Sequence, residues 1–214
     1  KDEIQLAVLP FKNISEEENS YLARGISQEI QVYLQDIQNL SVYAGMDVQH
    51  LVDKGLDKNE IGKEMGVNYI LEGSVWKQDN RFKLWVVLSD INSDKILFKD
   101  NIDEEYESLM DVVSKVALNI VNSIDIVLTD GEKEGIQLQS TNSIEAYDLL
   151  MKAWEYWKKA WSHTFEEGPK TPERDLYFSK AENLAKTALE YDPNYFASYT
   201  FLANLEFCRG NYDS

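Results

Sequence analysis

The chain has 214 residues, of which 43% are hydrophobic and 12% aromatic, and this composition supports a folded core and excludes an intrinsically disordered protein. Its 38 acidic and 21 basic residues give a formal net charge of -17, which repels phosphate backbones and anionic lipids, so nucleic acid is not an expected partner. The single cysteine, Cys208, excludes an internal disulfide bond, and no run of about 20 apolar residues predicts a membrane-spanning helix.

The first part of the chain alternates between strand and helix patterns. Residues 5–11 are an apolar run closed by Pro10, which predicts a buried strand. Ser15 and Glu18 have the spacing of a capping box, and apolar residues then recur at helical intervals up to Ile37, so a long helix is predicted. Next we predict a strand at residues 40–44, a short helix at 47–52, and a helix at Lys58–Met65 that Gly66 ends with a left-handed cap.

The strongest local signal lies at residues 67–91, which read as two long strands joined by a two-residue turn. We expect Gln78 to pair with Arg81 across this turn. One face of the hairpin then carries Leu71, Gly73, Val75, Phe82, Leu84, Val86 and Leu88, and the other carries Ile70, Ser74, Trp76, Trp85 and Val87. Because both faces are apolar near the middle, the hairpin is predicted to be central, with Trp85 and Leu88 in the core on opposite faces.

A third antiparallel strand is predicted at residues 95–102, which completes a three-strand meander. Residues 106–128 have the apolar spacing of a long amphipathic helix, which should lie across one face of the sheet. Residues 129–142 are mostly polar and contain two glycines, and we interpret them as a linker because residues 143–214 show only helical patterns. The sequence therefore predicts an α/β (α+β) domain with a mixed sheet at residues 1–128, followed by an all-α segment.

The all-α segment has helical patterns at residues 143–161, 173–191 and 195–209, with a loop at 163–172 and a turn from Gly210 onwards. Ala181, Ala185 and Ala188 precede Asp192-Pro193-Asn194, and Tyr199, Leu202 and Ala203 precede Gly210-Asn211-Tyr212-Asp213. With these residues the segment resembles tetratricopeptide (TPR) repeats, in which small residues let paired helices approach closely. It departs from the repeat pattern at Glu206, where Tyr is commoner, and in the long loop around Gly168.

The resemblance implies a repeat array that is truncated at Ser214. The helix at residues 195–209 would be the first helix of a repeat, with its partner helix beyond the end of the chain. A repeat unit cannot bury its apolar face alone, so we expect Leu202, Leu205 and Phe207 to be partly covered, or covered by a second copy of the chain.

The front part contains several spaced segments in a fixed order. They are Ala7-Val8-Leu9-Pro10-Phe11 with Asn13 and Ser15, Tyr21-Leu22-Ala23 with Gly25, Ile61-Gly62 with Gly66-Val67, and Tyr69-Ile70-Leu71-Glu72-Gly73-Ser74-Val75. With them, residues 4–128 resemble the TolB-like amino-terminal domain, which is related to CsgG and FlgO modules. The resemblance implies a larger bacterial signalling or envelope protein, with an upstream nucleotide cyclase, winged-helix regulator or kinase domain, often across a membrane helix. A periplasmic and a cytoplasmic location both stay open.

The sequence contains no metal or phosphate motif. Asp90, Asn92 and Asp94 have the opening spacing of a calcium loop, but Lys95 and Asn101 occupy the positions that need Gly and Glu, so we interpret them as a plain turn. Gly62, Gly66 and Gly73 do not form a phosphate cradle, and we interpret them as packing and cap glycines.

No catalytic set is visible either. His50 and His163 lie far apart in sequence, and Ser74 lacks the second glycine of a nucleophile elbow. We therefore predict no catalytic, cofactor or metal site, and an enzyme that acts by itself is the weakest hypothesis.

The most distinctive feature of the helical segment is an aromatic row. Trp154, Trp157 and Trp161 recur at helical spacing, and Tyr147 continues the row towards the N-terminus. Core packing between helices is the favoured interpretation, and the alternative is a groove that binds a partner protein, since aromatic residues are enriched at interaction hot spots. The acidic chain favours a partner with basic residues at the rim of its interface.

Two functional hypotheses follow from these patterns. The first is a non-catalytic regulatory and protein-interaction segment whose TPR-like helices bind the partner. The second is a small-ligand sensor with a pocket near Asn13, Ser15 and the N-terminus of the first helix, where free amides favour an anion. The acidic residues Glu16, Glu17 and Glu18 argue against an anion at that place.

Overall fold

The computed structural model describes residues 3–137, 140–167 and 171–212. The strands are β1 (Ile4–Val8), β2 (Lys12–Asn13), β3 (Leu40–Tyr43), β4 (Tyr69–Gln78), β5 (Arg81–Asp90) and β6 (Lys95–Glu105). The helices are α1 (Ser20–Gln35), α2 (Met46–Asp53), α3 (Lys58–Met65), α4 (Leu109–Ser123), α5 (Asp130–Gln137), α6 (Ile144–Glu167), α7 (Pro172–Tyr191) and α8 (Phe196–Tyr212). The chain divides into two compact units between Gln139 and Ser140, which we call the sheet unit and the helical unit.

The sheet unit is built on one mixed sheet with the strand order β3-β1-β4-β5-β6, and β2 pairs with β4. β1 lies parallel to β3 and β4, whereas β4, β5 and β6 form an antiparallel meander. β1 has a strand on each side, and its residues Leu6, Ala7 and Val8 are buried, as expected for a central parallel strand. The predicted fold class, a mixed sheet with a three-strand meander followed by helices, is confirmed.

One face of the sheet packs against α1 and α4. The inward residues of the hairpin on this face are all fully buried, namely Leu71, Val75, Phe82, Leu84, Val86 and Leu88. The predicted pairing of Gln78 with Arg81 is confirmed, and a positive φ of 50° at Asp79 turns the chain. The local turn and the alternation of apolar residues therefore determine the hairpin register.

The opposite face of the sheet is covered only in part. α2 and α3 pack over it around Ile70, in a cluster that includes Ala7, Val48, Leu51 and Ile61. Trp85 lies on the same face but is only half-buried. The prediction that Trp85 belongs to the core is thus wrong, because the covering helices cluster around Ile70 and not around the middle of β5.

The start of α1 also differs from the prediction. α1 begins at Ser20 and has no side-chain cap, while the Ser15 hydroxyl accepts a hydrogen bond from the Lys77 amide at 2.7 Å. The capping-box interpretation of Ser15 and Glu18 is therefore wrong, and Ser15 instead ties its loop to β4. A capping box is present at α3, and Gly66 ends that helix with a φ of 68°, as predicted.

Two glycines of the sheet unit make room for large side chains. A Cβ atom at Gly73 would lie 2.5 Å from the Phe11 ring, and a Cβ atom at Gly62 would lie 2.8 Å from the Ile91 side chain. The interpretation of these residues as packing glycines is confirmed. At the calcium-like motif, the Asp90 carboxylate accepts hydrogen bonds from the amides of Asn92 and Ser93, which is the geometry of a turn.

Part of the predicted linker at residues 129–142 is helical. α5 lies within it and packs on α4, because Ile136 is buried and its carbonyl accepts a hydrogen bond from the Ser114 hydroxyl at 2.6 Å. The Glu132 carboxylate accepts hydrogen bonds from Thr129 and from the Gln38 amide. These bonds hold the pKa of Glu132 below its usual value, with the Thr129 hydroxyl as the largest cause.

The helical unit is an antiparallel pair, α6 and α7, followed by α8. α7 begins with Thr171, whose hydroxyl accepts from the Arg174 amide at 3.2 Å, and has Pro172 in its first turn. Ala181, Ala185 and Ala188 are fully buried, which lets the neighbouring helices approach α7 closely.

The helices of this unit are longer than predicted. α6 continues to Glu167, so the predicted loop at residues 163–172 is helical at its start, and residues 168–170 lie outside the described residues. α8 continues to Tyr212 through the predicted turn, of which Asp213 lies outside the described residues. The three residues expected to be partly covered differ in their exposure. Leu202 is half-buried and Phe207 is 70% exposed. Leu205 is fully buried within the chain, so the prediction is wrong for this residue.

Candidate functional site

The predicted aromatic row lies along α6. Tyr147 is fully buried, so the structure places it in the core and not on a contact surface. Trp154, Trp157 and Trp161 are half-buried. Neighbouring rings of the row meet edge to face, with centroids 5.4 Å apart between Trp154 and Trp157 and 5.7 Å apart between Trp157 and Trp161.

Both ends of the row contact another helix. Trp154 packs against Phe201 of α8 with ring centroids 4.7 Å apart, and Trp161 packs against Phe178 of α7 at 6.4 Å. The row therefore joins the three helices, in agreement with the favoured packing interpretation. Each tryptophan nevertheless keeps part of its surface in solvent.

A second aromatic row, which was missed in the sequence, lies on α8. Phe196 is 77% exposed, Tyr199 51% and Phe207 70%. The spacing of these residues, i, i+3 and i+11, places them on one side of the helix. The Tyr199 hydroxyl donates to the Pro193 carbonyl at 3.0 Å, which orients its ring. The helical spacing was readable in the sequence, but its exposure could not be known before the packing of α8 was known.

A small patch of aromatic and basic residues joins α6 and α7. Tyr156 and Tyr177 stack with centroids 6.1 Å apart, and the Lys180 ammonium lies 5.3 Å from the Tyr156 ring and 5.9 Å from the Tyr177 ring. Lys159 lies over Tyr156 at 5.4 Å, and His163 packs on Tyr177 at 5.3 Å. Cation–π contacts of this kind hold the ammonium groups in place. The patch was not predicted, because it combines residues of two helices.

A buried charge lies near the start of α7. Arg174 is 2% exposed, and its guanidinium lies 4.7 Å from the Phe178 ring and 3.1 Å from an Asp175 carboxylate oxygen. Burial raises the pKa of the nearby Cys208 thiol, and the positive charge of Arg174 offsets this in part. A thiol with a raised pKa is a poor nucleophile at neutral pH.

The sheet unit contains the second predicted site. A groove of about 440 Å³ is bordered by Ser15, Glu16, Asn19, Trp76 and Asp79, among others. The side-chain amide of Asn13 donates to the backbone carbonyls of Ser15 and Glu16. The polar groups expected to meet an anion thus hold the loop together, and the two carboxylates of the groove disfavour an anion.

The remaining candidates lie on different elements. His50 is exposed on α2, and Ser74 lies half-buried on β4. Within the described ranges, no three His, Cys, Asp or Glu side chains converge in a way that could hold a metal ion. The same ranges contain no helix that is both long and apolar enough to cross a membrane.

Comparison with known proteins identifies the family of the sheet unit. Residues 2–119, more than half of the chain, match the family described as HilA/YgeH-like transcriptional regulator, second domain. The chain belongs to this family. The matched residues of this HilA/YgeH-like chain end within α4, so they contain the whole sheet but no part of the helical unit.

A curated relative extends the similarity. The chain is 34% identical over 149 residues to putative adenylate cyclase 3 of Rhizobium meliloti (strain 1021). The match covers 69% of this chain and 25% of that protein, so this HilA/YgeH-like chain spans about a quarter of its relative.

Two solved structures are similar to the chain at low sequence identity. TolB from Acinetobacter baumannii has a TM-score of 0.47 and 13% identity over 61% of this chain and 30% of TolB. The LpoB C-terminal domain from Salmonella enterica has a TM-score of 0.39 and 14% identity over 49% of this chain and 84% of that domain.

Proposed function

We propose that this chain is a non-catalytic regulatory and protein-interaction segment of a larger protein, and that its helical unit is the binding scaffold. The observation that carries this proposal is the exposed aromatic row of Phe196, Tyr199 and Phe207 on α8. Large aromatic side chains in solvent on one side of a helix are typical of a surface that another protein covers. Membership of a family of transcriptional regulators supports a regulatory role.

We further propose that the helical unit belongs to a TPR-like array. The support is the fully buried series Ala181, Ala185 and Ala188, followed by the turn at Asp192 and Pro193 and by α8. In such arrays the helices form an extended surface for protein partners. Half-buried Trp154, Trp157 and Trp161 would then contribute the inner part of the contact surface.

For the sheet unit we propose a TolB-like regulatory domain, of the CsgG and FlgO type, that works beside an attached output domain. A nucleotide cyclase fits the name of the curated relative, and a DNA-binding domain fits the name of the family. The protein-interaction role of the helical unit does not depend on which of them is attached.

The experiment compares exposed aromatic residues with an exposed polar residue on the same helix. The wild-type chain and the variants Phe196→Ala, Phe207→Ala and Asn204→Ala are used as bait with extracts of the native host, and captured proteins are quantified by mass spectrometry. A hot-spot aromatic residue contributes about 2 kcal/mol or more, so each Phe variant should bind its partner about thirtyfold more weakly.

Asn204→Ala should capture the partner as the wild type does, since Asn204 is exposed and polar. Equal loss of capture in all three variants, or capture that no variant changes, contradicts the binding role of α8. Turnover of a substrate by the isolated chain contradicts the non-catalytic role.

A second candidate function is a small-ligand sensor that controls the attached domain. The groove beside Ser15 favours it. Its lining has two carboxylates, of Glu16 and Asp79, and one ammonium, of Lys77, which indicates a cationic ligand. The test is a thermal-shift screen of small organic cations with the wild type and the double variant Glu16→Gln, Asp79→Asn. Stabilisation that the double variant loses supports the sensor, and the absence of any stabilising cation contradicts it.

A further inference from the structure

β6 forms a free edge of the sheet. It is 11 residues long and pairs with β5 on one side. Among residues 3–137, the part of the sheet unit that the structure describes, no other strand pairs with it. Its second side therefore presents backbone N–H and C=O groups that an additional strand could bind.

The hydrogen bonds reveal which residues of β6 face outwards. The Tyr106 amide donates to the Asn80 carbonyl at 2.9 Å, directly beside the pair of Arg81 and Glu105. Hydrogen-bonded and non-hydrogen-bonded pairs alternate along an antiparallel ladder. The backbone groups of Glu104, Ile102 and Asp100, which lie two, four and six positions before Tyr106, therefore bond to β5. Asn101 lies between such residues, and its N–H and C=O groups consequently point away from β5.

An independent contact agrees with this direction. The Asn101 amide donates to a carboxylate oxygen of Asp100 at 2.8 Å. The side chain of Asp100 thus occupies the place where the carbonyl oxygen of an incoming strand would accept the same hydrogen bond.

A groove of about 420 Å³ runs between this edge and α4. Its lining includes the apolar side chains of Ile102, Val112 and Val116 and the charged side chains of Asp100, Glu104 and Lys115. Side chains alternate along a strand, so Asp100, Ile102 and Glu104 all lie on the face that looks towards α4. One apolar position is therefore flanked by a carboxylate two residues away on each side.

The charge of the edge favours a basic partner. On the opposite face of β6, Asp103 is already paired with Arg81 at 2.6 Å and Lys83 at 3.1 Å. Asp100 and Glu104 share the groove with a single ammonium, that of Lys115, among the lining residues. The net charge of -17 adds a long-range attraction for cations.

We propose that β6 binds an extended segment of a partner protein as an additional antiparallel strand. An apolar residue of that segment lies in the groove opposite Ile102, and basic residues two positions before and after it lie opposite Asp100 and Glu104. Backbone hydrogen bonds along the edge contribute affinity, and the alternate side chains contribute specificity. This surface belongs to the sheet unit, so the inference is independent of the binding role proposed for the helical unit.

The first test uses the acetylated and amidated peptide Thr-Lys-Thr-Val-Thr-Lys-Thr with the isotope-labelled full chain. Amide chemical shifts should change in saturable fashion at Asn101, Ile102 and Asp103, and more weakly as salt is added. In the proposed antiparallel pairing, the amides of the two Thr residues beside Val donate to β6, whereas the Val amide points to solvent. N-methylation of those two Thr residues should abolish binding, and N-methylation of Val should leave it unchanged.

The second test changes the protein at the outward amide. Asn101→Pro removes the N–H group, and an edge strand tolerates proline where its N–H faces solvent. It should weaken peptide binding about tenfold or more, while Asn101→Ala, which keeps the N–H group, should bind as the wild type does. The amide spectrum of each variant verifies that the fold is retained, and the N-methylated peptides test the same bonds where Asn101→Pro does not fold.

Three results would overturn the proposal. They are equal binding of the two N-methylated peptides, equal binding when both Lys residues of the peptide are replaced by Glu, and a dimer of the free chain that Asn101→Pro dissociates. The last result, measured by analytical ultracentrifugation, would assign the edge to a second copy of the chain.

Discussion

Leu88 of β5 is one of the core residues that stabilise the sheet unit. It is fully buried on the face of the sheet that packs against α1 and α4. Leu88→Ala should lower the free energy of unfolding by about 2 to 5 kcal/mol, because it removes buried methyl groups and leaves a cavity. Chemical denaturation measures this change.

The matched control for Leu88 is Ile96→Ala on the neighbouring strand. Ile96 is 57% exposed, so its truncation should change the stability by less than about 0.5 kcal/mol. Equal effects of the two substitutions would contradict the observed register of the sheet.

Gly73 sets the distance between β4 and the Phe11 ring. Because a Cβ atom would lie 2.5 Å from that ring, Gly73→Ala must displace Phe11 or the strand. We expect a loss of about 1 to 3 kcal/mol in unfolding free energy, as for other overpacked cores. Gly131→Ala is the control, since a Cβ atom at that helical position has no heavy atom within 4 Å, and it should be neutral or stabilising.

At the scale of elements, Asp103 of β6 forms ion pairs with Arg81 and Lys83 of β5, and these pairs require its charged form. Hydrogen bonds from Arg81, and secondly from Lys83, hold the pKa of Asp103 below its usual value. A depressed carboxyl pKa contributes stability above the pKa of the unfolded chain, and this contribution is lost as the pH falls through the folded-state pKa. An NMR titration should thus place the midpoint of Asp103 below that of an unstructured aspartate.

Arg81→Ala should raise that midpoint, since it removes the largest cause of the shift. Lys63→Ala is the control because Lys63 lies on α3, outside the strand pair. An Asp103 midpoint that is unchanged by Arg81→Ala would show that the hydrogen bond does not form in solution.

The elements differ in how far the sequence predicts them. The hairpin of β4 and β5 was predictable to the residue, because a two-residue turn and strict alternation are local signals. The parallel neighbours of β1 were not, since a pairing such as that of Val8 with Leu71 leaves no local pattern. The half-exposure of Trp85 was missed for a related reason: the sequence does not say which part of a face α2 and α3 cover.

The candidate site was predictable only in part. The spacing of Trp154, Trp157 and Trp161 placed them on one side of α6, but their packing against Phe201 and Phe178 depends on two other helices. The exposed row of α8 and the Tyr156–Tyr177 patch likewise require the arrangement of the helices. Periodicity identifies a face of a helix, and only tertiary packing decides whether that face is buried.

At the scale of the whole molecule, we expect the sheet unit and the helical unit to unfold separately. Trp76 and Trp85 report on the first, and the tryptophans of α6 report on the second. Urea unfolding followed by tryptophan fluorescence should give two midpoints, one of which disappears in the double variant Trp76→Phe, Trp85→Phe. A single midpoint in both proteins would mean that the two units unfold as one.

The topology of the sheet also determines the order of events during synthesis. β1 is made before both of its partner strands. β3 lies at Leu40–Tyr43, and the part of β4 that pairs with β1 begins at Tyr69. The ends of two long loops must meet before these parallel pairs form, and such contacts are slow. By contrast, α6 and α7 are consecutive in the sequence, so only a short loop must close before they pack together. We therefore expect the helical unit to fold faster than the sheet unit, and the side of β1 that pairs with β4 to stay unpaired until β4 has emerged from the ribosome.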